Sequence, residues 1–104
     1  MAEGELGTIY LIHLDRPYHH ARHYLGWAKH LESRLAHHRN GTGARLLEVV
    51  GEAGIGWRVV RKWRGSRGDE RRLKNRKDSP RLCPICAAAA GHNVREHQLD
   101  EIQV

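Results

Sequence analysis

The chain has 104 residues and a formal net charge of +6, with 39% hydrophobic and 29% charged residues, which is typical of one small domain. Its longest stretch without Asp, Glu, Lys or Arg, 82–94, has 13 residues, whereas a membrane-spanning helix needs about 20. The N-terminus lacks a basic region followed by an apolar run, and two cysteines exclude a scaffold with several disulfides. We therefore expect a cytoplasmic protein with no membrane association.

The basic charge is concentrated in one segment. Between Trp57 and Arg81 there are eleven basic and three acidic residues, whereas the remainder has seven basic and nine acidic residues. Fourteen of the 18 basic residues are arginine, whose guanidinium suits two-point contact with phosphate. Such a field is what a polyanion-binding protein needs, although a solvated charged surface gives the same pattern.

The first third of the chain predicts a flexible N-terminus, residues 1–6, followed by two strands. Thr8–Leu14 is a β-branched and aromatic run that is apolar on both faces, as in a central strand. The Asp-Arg-Pro segment 15–17 should end this strand, because proline cannot donate to a ladder. Arg22–Gly26 is the second strand, reached through a hairpin loop of about seven residues.

Helices and a further strand are predicted in the rest of the chain. Leucine and tryptophan recur every four residues in Trp27–Arg39, which predicts a helix ending at Asn40-Gly41. A second helix (44–53), a third strand with one basic face (57–63) and a last helix (69–77) follow. Asp69 stands where a carboxylate can satisfy free backbone donors at a helix start.

This order of elements predicts a small α/β domain of the α+β kind over residues 7–82. It consists of a three-stranded, mostly antiparallel sheet flanked by helices. Residues 83–104 form a separate C-terminal tail.

Several short motifs in the predicted domain resemble the signature of the GIY-YIG nucleases. The motifs are Thr8-Ile9-Tyr10, then Tyr24-Leu25-Gly26, then a helix with Leu31, Arg34-Leu35 and His38, and a glutamate, Glu70, on a later helix. The resemblance covers about residues 6–82, and it implies the GIY-YIG fold, which agrees with the predicted order of elements.

The sequence departs from that signature at three positions. Thr8 replaces the first glycine, and Ala28 stands where the family often has threonine. Many members have an asparagine about twelve residues after the glutamate, a position occupied here by Leu82, while Asn75 comes seven residues earlier. Loss of this asparagine bears on phosphate positioning more than on metal binding.

The resemblance implies a catalytic set whose chemistry suits phosphodiester hydrolysis. Glu70 is the expected ligand of one Mg²⁺ or Mn²⁺ ion that keeps several waters, and Arg34 is the expected phosphate-binding cation. Tyr10 is the expected general base, with His38 as its proton acceptor, and Tyr24 should orient the water or the phosphate. A free tyrosine has a pKa of about 10, so this role needs assistance.

Each of these residues also has an ordinary structural interpretation. The tyrosines are common core residues of strands, and Arg34 with His38 fits a helix flank with a satisfied core histidine. Glu70 fits a first-turn position or an ion pair with Arg71 or Lys74. Their joint occurrence in the family's order favours the catalytic interpretation.

The basic segment supplies a predicted nucleic-acid interface that contacts phosphates rather than base edges. Its members share a cationic side chain on the third strand or the last helix: Arg58, Lys62, Arg64, Arg67, Arg71 and Lys74. The first three are expected to share one face of the strand.

The tail carries the spacing of a zinc knuckle. Cys83 and Cys86 are followed by His92 and His97, in the pattern C-x2-C-x5-H-x4-H. Cysteine and histidine in this arrangement are ligands of tetrahedral Zn²⁺, so a structural zinc ion is one hypothesis. A two-cysteine half-site, a reactive cysteine pair and a disordered tail are the others.

These observations predict a metal-dependent endonuclease that cuts DNA with low sequence specificity, either alone or targeted by a protein partner. One site in a monomer would nick one strand, whereas a double cut would need a homodimer or two events. The alternatives are a non-catalytic nucleic-acid-binding module with a zinc-binding tail, and an inactive nuclease-like domain that mediates assembly. The form of the substrate, including DNA against RNA, is left open.

Overall fold

The computed structural model describes residues 5–77 and 79–89, and these residues form three strands and five helices. The strands are β1 (Gly7–Tyr18), β2 (Ala21–Ala28) and β3 (Trp57–Gly65). The helices are α1 (Leu31–Asn40), α2 (Arg45–Glu52), α3 (Arg67–Arg76), α4 (Ser79–Leu82) and α5 (Pro84–Ala89). The sheet is antiparallel with the order β2-β1-β3, which confirms the predicted small α/β architecture.

Both faces of the sheet are covered, as the doubly apolar pattern of β1 predicts. We call the face with Tyr10, Ile12 and Leu14 the front face, and the face with Ile9 and Leu11 the back face. Residues of α1 and α2 pack on the front face, with Leu47 and Val50 buried there. The back face packs against residues of the C-terminal third of the described chain, namely Leu73, Leu82, Cys83 and Cys86.

The β1–β2 hairpin is longer and tighter than predicted. β1 continues to Tyr18, and a two-residue turn at His19 and His20 replaces the predicted seven-residue loop. The pairing is irregular between His13 and Tyr18, so Pro17 lies outside the regular ladder and its missing N–H costs no ladder bond. A proline in the sequence therefore marks the bulge rather than the end of the strand.

The first helix begins four residues later than predicted. Trp27 lies on β2, where it pairs with Ile9 and donates its indole N–H to the carbonyl of Gly65 at 2.8 Å. Burial on the back face outweighs the four-residue spacing to Leu31 that favoured a helix. The predicted end of the helix is confirmed, because Gly41 adopts a left-handed conformation with φ of 80°.

A bulge in β3 changes which basic residues share a face. Lys62 and Arg64 pair with Tyr10 and Thr8, but the register shifts between Val59 and Arg61, and Arg58 pairs with His13. The extra residue reverses the alternation of side chains. The prediction that Arg58 shares a face with Lys62 and Arg64 is therefore wrong.

The last predicted helix begins at Arg67 rather than Asp69. Ser66 is its N-cap, and Ser66 and Asp69 form a reciprocal capping box. The predicted capping role of the Asp69 carboxylate is confirmed, since it accepts the Ser66 backbone N–H at 3.0 Å.

The two predicted terminal segments are only partly described. Of the N-terminal segment 1–6, residues 1–4 lie outside the described residues, and the Glu5 carboxylate lies 2.7 Å from the Lys29 ammonium group. The C-terminal tail is described to residue 89, where its first seven residues include α5. Among the helices described, none has the length and hydropathy needed to cross a bilayer.

Candidate functional site

Four of the five predicted catalytic residues come together on the front face. Tyr10 lies on β1 and Tyr24 on β2. Arg34 and His38 lie one turn apart on α1. The Tyr10 hydroxyl oxygen is 2.7 Å from His38 Nε2, and the ring centroids of Tyr10 and Tyr24 are 6.1 Å apart. The fold therefore brings the motifs of three separate elements into one cluster, which we call the front-face cluster (Tyr10, Tyr24, Arg34, His38).

Gly26, the last residue of the second motif, makes room for Tyr10. The two residues are direct partners in the sheet, and the Tyr10 ring crosses over the glycine. A Cβ atom at position 26 would lie 2.6 Å from the Tyr10 hydroxyl oxygen, closer than van der Waals contact allows. Glycine is therefore required by the position of the Tyr10 ring and not by the backbone of the strand.

The hydrogen bonds of His38 determine its tautomer. The backbone N–H of Ala44 donates to His38 Nδ1 at 3.3 Å, so this nitrogen carries a lone pair. A neutral imidazole then has its proton on Nε2, and Nε2–H donates to the Tyr10 hydroxyl oxygen. In the neutral state His38 is thus a donor to Tyr10, the reverse of the predicted proton acceptor.

Burial controls the protonation of Tyr10 and His38. Tyr10 has none of its surface exposed. This desolvation raises the pKa of Tyr10 well above its usual range, and the Arg34 charge opposes the shift only in part. Burial lowers the pKa of His38, with the Arg34 and His37 charges adding to the effect. Both side chains are therefore neutral at pH 7, which weighs against Tyr10 as the general base.

Tyr24 and Arg34 line a surface pocket next to Tyr10. The pocket lies between α1 and the segment that follows it, and its remaining lining residues are His37, His38, Thr42, Gly43 and Ala44. Tyr24 is half-buried, and Arg34 donates from Nη1 to the carbonyl of Trp27 at 3.3 Å. A solvent-borne ligand can therefore reach Tyr24 and Arg34.

Glu70 lies beside the front-face cluster rather than within it. Its side chain is 13% exposed, and its carboxylate is 3.5 Å from the ammonium group of Lys74. The Lys74 ammonium in turn lies 5.8 Å from the centroid of the Tyr24 ring. The ion pair with Lys74 considered from the sequence is present, and this lysine connects Glu70 to Tyr24.

The predicted phosphate-binding residues are spread over the surface. Arg58, Arg64, Arg67, Arg71 and Lys74 are exposed, and Lys62 is half-buried. Arg67 lines a pocket together with Arg34 and Lys29, and its guanidinium lies 4.7 Å from the centroid of the Trp27 ring. Arg67 is thus close to the front-face cluster, whereas Arg58 lies opposite His13 on the back face.

A second group of chemically active side chains lies on the back face. His13 and His23 are paired across β1 and β2. Cys83 directly precedes α5, and Cys86 lies on it. Their ligand atoms all lie within 4.8 Å of one another, and we call this group the His–Cys cluster (His13, His23, Cys83, Cys86). It is a group that could bind a metal ion, whereas the predicted ligands His92 and His97 lie outside the described residues.

The two histidines of this cluster were not identified from the sequence, although a signal was present. His13 and His23 both lie in predicted strands, and the two-residue alternation places them on the same faces as Leu11 and Leu25. Only the register of the hairpin shows that they face each other, and only the path of α4 and α5 brings Cys83 to them. Burial also lowers the pKa of His23 to about 4, so its imidazole is neutral, the form that binds metals.

Comparison with protein-family models, curated proteins and solved structures finds no match for this chain. The front-face cluster and the His–Cys cluster are therefore interpreted from their own geometry and chemistry.

Proposed function

We propose that the chain is a divalent-metal-dependent endonuclease of the GIY-YIG type, which hydrolyses DNA phosphodiester bonds with low intrinsic sequence specificity. One observation carries this proposal. Tyr24 of one strand and the Arg34–His38 pair of a helix line one pocket open to solvent, and Tyr10 of the neighbouring strand, 28 residues from His38 in sequence, contacts His38. A set of ordinary core residues would not need an arginine, two tyrosines and a histidine on one face.

Arg34 is the proposed phosphate-binding residue. Its guanidinium is a permanent cation with a planar set of donors that matches two phosphate oxygens. It lines the same pocket as Tyr24, and the Lys74 ammonium lies 5.8 Å from the Tyr24 ring. Two cations near one pocket stabilise the negative charge that develops on phosphorus in the transition state.

Tyr24 is the tyrosine that contacts the attacking water or the phosphate in this proposal. Tyr24 is half-buried and lines the pocket, whereas Tyr10 is fully buried and is not one of the lining residues. Tyr10 therefore acts as a positioning residue, which holds His38 and the adjacent ring of Tyr24 in place. Tyr24 thus keeps the role expected from the sequence, whereas Tyr10 is no longer proposed as the general base.

Glu70 is the proposed ligand for Mg²⁺ or Mn²⁺. Its single, partly exposed carboxylate suits Mg²⁺, which is bound through one or two carboxylates together with water and substrate phosphate. The bound cation supplies charge stabilisation to the phosphate and an activated water. Lys74 neutralises Glu70 in the free protein and would be released toward the phosphate when the carboxylate binds a cation.

The DNA contacts are expected from exposed arginines and lysines near the front-face cluster, with Arg67 adjacent to Arg34. Contacts of this kind bind phosphates and do not distinguish bases, which supports low specificity. A single site nicks one strand. Cutting both strands would then require a homodimer or two separate events, and cutting at a defined place would require a protein partner.

The proposal is tested by cleavage of labelled single-stranded, duplex and branched DNA in Mg²⁺, Mn²⁺ or EDTA. We expect cleavage of at least one substrate that requires the divalent cation and is lost in Glu70→Gln, which keeps the shape of the side chain but removes its charge. Glu32→Gln, an exposed acidic residue of α1, is the matched control and should cleave as the wild type does.

Two outcomes would contradict the proposal. If the wild type binds these DNAs with both cations but cleaves none, the alternative of a non-catalytic nucleic-acid-binding module is the better account. If cleavage persists unchanged in Glu70→Gln or in EDTA, the assignment of Glu70 as the metal ligand is wrong.

A further inference from the structure

We propose that His13, His23, Cys83 and Cys86 form a structural Zn²⁺ site that attaches the C-terminal helices to the back face of the sheet. This site is separate from the proposed nuclease centre and does not depend on it. It takes its cysteines from the zinc-knuckle pattern of the sequence, but its histidines come from the β1–β2 hairpin rather than from positions 92 and 97.

The distances between the side chains match those around tetrahedral zinc. His13 Nδ1 is 3.3 Å from Cys83 Sγ and 3.6 Å from Cys86 Sγ. His23 Nε2 is 3.4 Å from Cys86 Sγ. Bonds of about 2.0–2.1 Å to nitrogen and about 2.3 Å to sulfur at the tetrahedral angle separate neighbouring ligand atoms by about 3.5 Å. These three contacts therefore have the length expected for edges of such a tetrahedron, and all four ligand atoms lie within 4.8 Å of one another.

Hydrogen bonds between thiols and imidazoles do not account for the same arrangement. His13 Nδ1 contacts both sulfur atoms, but a neutral imidazole nitrogen makes one full hydrogen bond, because it either accepts one thiol proton or donates its single N–H to a weak sulfur acceptor. A thiol is also a weak donor. One cation at the centre satisfies both sulfur atoms and both nitrogen atoms at once, so the metal explains the double contact.

The kind of ligand selects the metal. Two thiolates and two neutral imidazoles are the Cys₂His₂ set of structural zinc sites, and their charge balances that of one Zn²⁺ ion. Thiolate ligands disfavour Mg²⁺ and Ca²⁺, which prefer oxygen. The ligand set is complete without water, and Cys83 is fully buried, which indicates a structural rather than a catalytic ion.

The surrounding contacts show what the ion would hold together. Cys83 is buried against the back face, and Ala87 of α5 is also buried. Arg61 of β3 donates from Nη1 to the carbonyl of Leu82 at 3.1 Å. The helices α4 and α5 are only four and six residues long, and helices of that length are not stable alone. One ion bound to the two histidines of the β1–β2 hairpin and to the two cysteines beside and on α5 would hold both helices on the sheet.

The first test is the metal content of the untagged full-length protein. We expect about one zinc per chain, as a single four-ligand site requires. Replacement of zinc by Co²⁺ should give intense visible bands of tetrahedral cobalt and a near-ultraviolet band from thiolate-to-cobalt charge transfer. A protein that folds without bound zinc and gives no such cobalt spectrum would overturn the proposal.

Variants distinguish this ligand set from the zinc knuckle of the tail. Cys86→Ser and His23→Gln change half-buried ligands and should lose the tetrahedral cobalt spectrum. His20→Gln in the exposed hairpin turn is the matched control, and it should keep the spectrum, as should His92→Gln and His97→Gln. Far-ultraviolet circular dichroism shows whether each variant is folded. Loss of the site in His92→Gln or His97→Gln, with His23→Gln unaffected, would show that the tail histidines are the ligands and that this proposal is wrong.

Discussion

His38 is the residue that joins the strands of the front face to the loop after α1. It contacts Tyr10 through Nε2 and the Ala44 backbone through Nδ1, and it is 2% exposed. The sequence placed His38 on the correct face of α1 through its spacing from Arg34 and Leu35. It could not reveal the tautomer, because the Ala44 contact depends on how the chain turns after Gly41.

We predict that His38 makes folding stability depend on pH. Burial lowers the pKa of His38 in the folded state, whereas an unfolded histidine has a pKa of about 6.5. The unfolded state therefore binds more protons between the two values, so the free energy of unfolding is highest above pH 6.5 and falls as the pH decreases toward the folded pKa. The titratable groups that contact His38 or act on its charge include Tyr10, Tyr24, Arg34 and His37.

The measurement is urea unfolding of the wild type and His38→Gln between pH 7 and pH 5. The variant should lose less stability over this interval, because its amide does not titrate while the other histidines titrate in both proteins. Parallel curves for the two proteins would show that His38 does not contribute to the dependence.

We predict different consequences for the two tyrosine-to-phenylalanine changes. Tyr10→Phe leaves the buried Nε2–H of His38 without an acceptor, which should reduce the free energy of unfolding by about 1–3 kcal/mol. Tyr24→Phe removes a half-buried hydroxyl and should reduce the free energy of unfolding by less than Tyr10→Phe does. It should lower the cleavage rate more, by about 10²–10⁴-fold. Urea unfolding and single-turnover cleavage measure the two effects. The reverse pattern would return Tyr10 to the role of general base.

The elements were predictable where local pattern and tertiary contact agree. The end of α1 follows directly from the Asn-Gly stop signal at 40–41, and α2 lies within the range 44–53 predicted for it. Trp27 was placed in a helix because its spacing to Leu31 fits one, yet strand pairing and its bond to Gly65 decide otherwise. Propensity is a weak guide when a large aromatic side chain can be buried in a sheet.

The bulge in β3 has a consequence for the nucleic-acid interface. Arg67 lies next to Arg34, while Arg58 lies on the back face opposite His13. We predict that Arg67→Gln weakens DNA binding about equally for all sequences and lowers the salt slope by about 1. Arg58→Gln, a change of the same kind outside this interface, should have little effect.

Fluorescence-anisotropy titrations over a range of salt concentrations compare these two variants with the wild type. Equal losses in both variants would mean that the charged surface binds without a preferred face.

At the scale of the whole molecule, the His–Cys cluster changes the expected division of the chain. The sequence predicted a domain ending at residue 82 and a separate tail, but Cys83 is fully buried against the back face. The distance in sequence is the reason: contacts between His13 and Cys83 span 70 residues, and no local pattern encodes them. The two proposed centres therefore lie on opposite faces of one sheet.

We predict that a zinc chelator lowers the thermal unfolding midpoint of the wild type. A ligand present at about 100 times its dissociation constant contributes about 2.7 kcal/mol to stability, and each kcal/mol corresponds to about 4–8 °C in a domain of this size. Cys86→Ser should begin with a lower midpoint and show no further change with chelator. Differential scanning calorimetry makes this comparison, and an unchanged wild-type midpoint would indicate that the cluster holds no stabilising ion.

The central claim is that the pocket of Tyr24 and Arg34 hydrolyses phosphodiesters, and single-turnover cleavage by Arg34→Gln tests it most directly. Arg45→Gln is the matched control, since Arg45 is exposed on α2 and pairs with Glu48 at the surface. We predict that Arg34→Gln loses about 10²–10³-fold in the cleavage rate, the cost typical of removing one donor to transition-state charge, while Arg45→Gln cleaves as the wild type does. Equal rates for Arg34→Gln and the wild type would contradict the claim and place any nuclease activity elsewhere on the molecule.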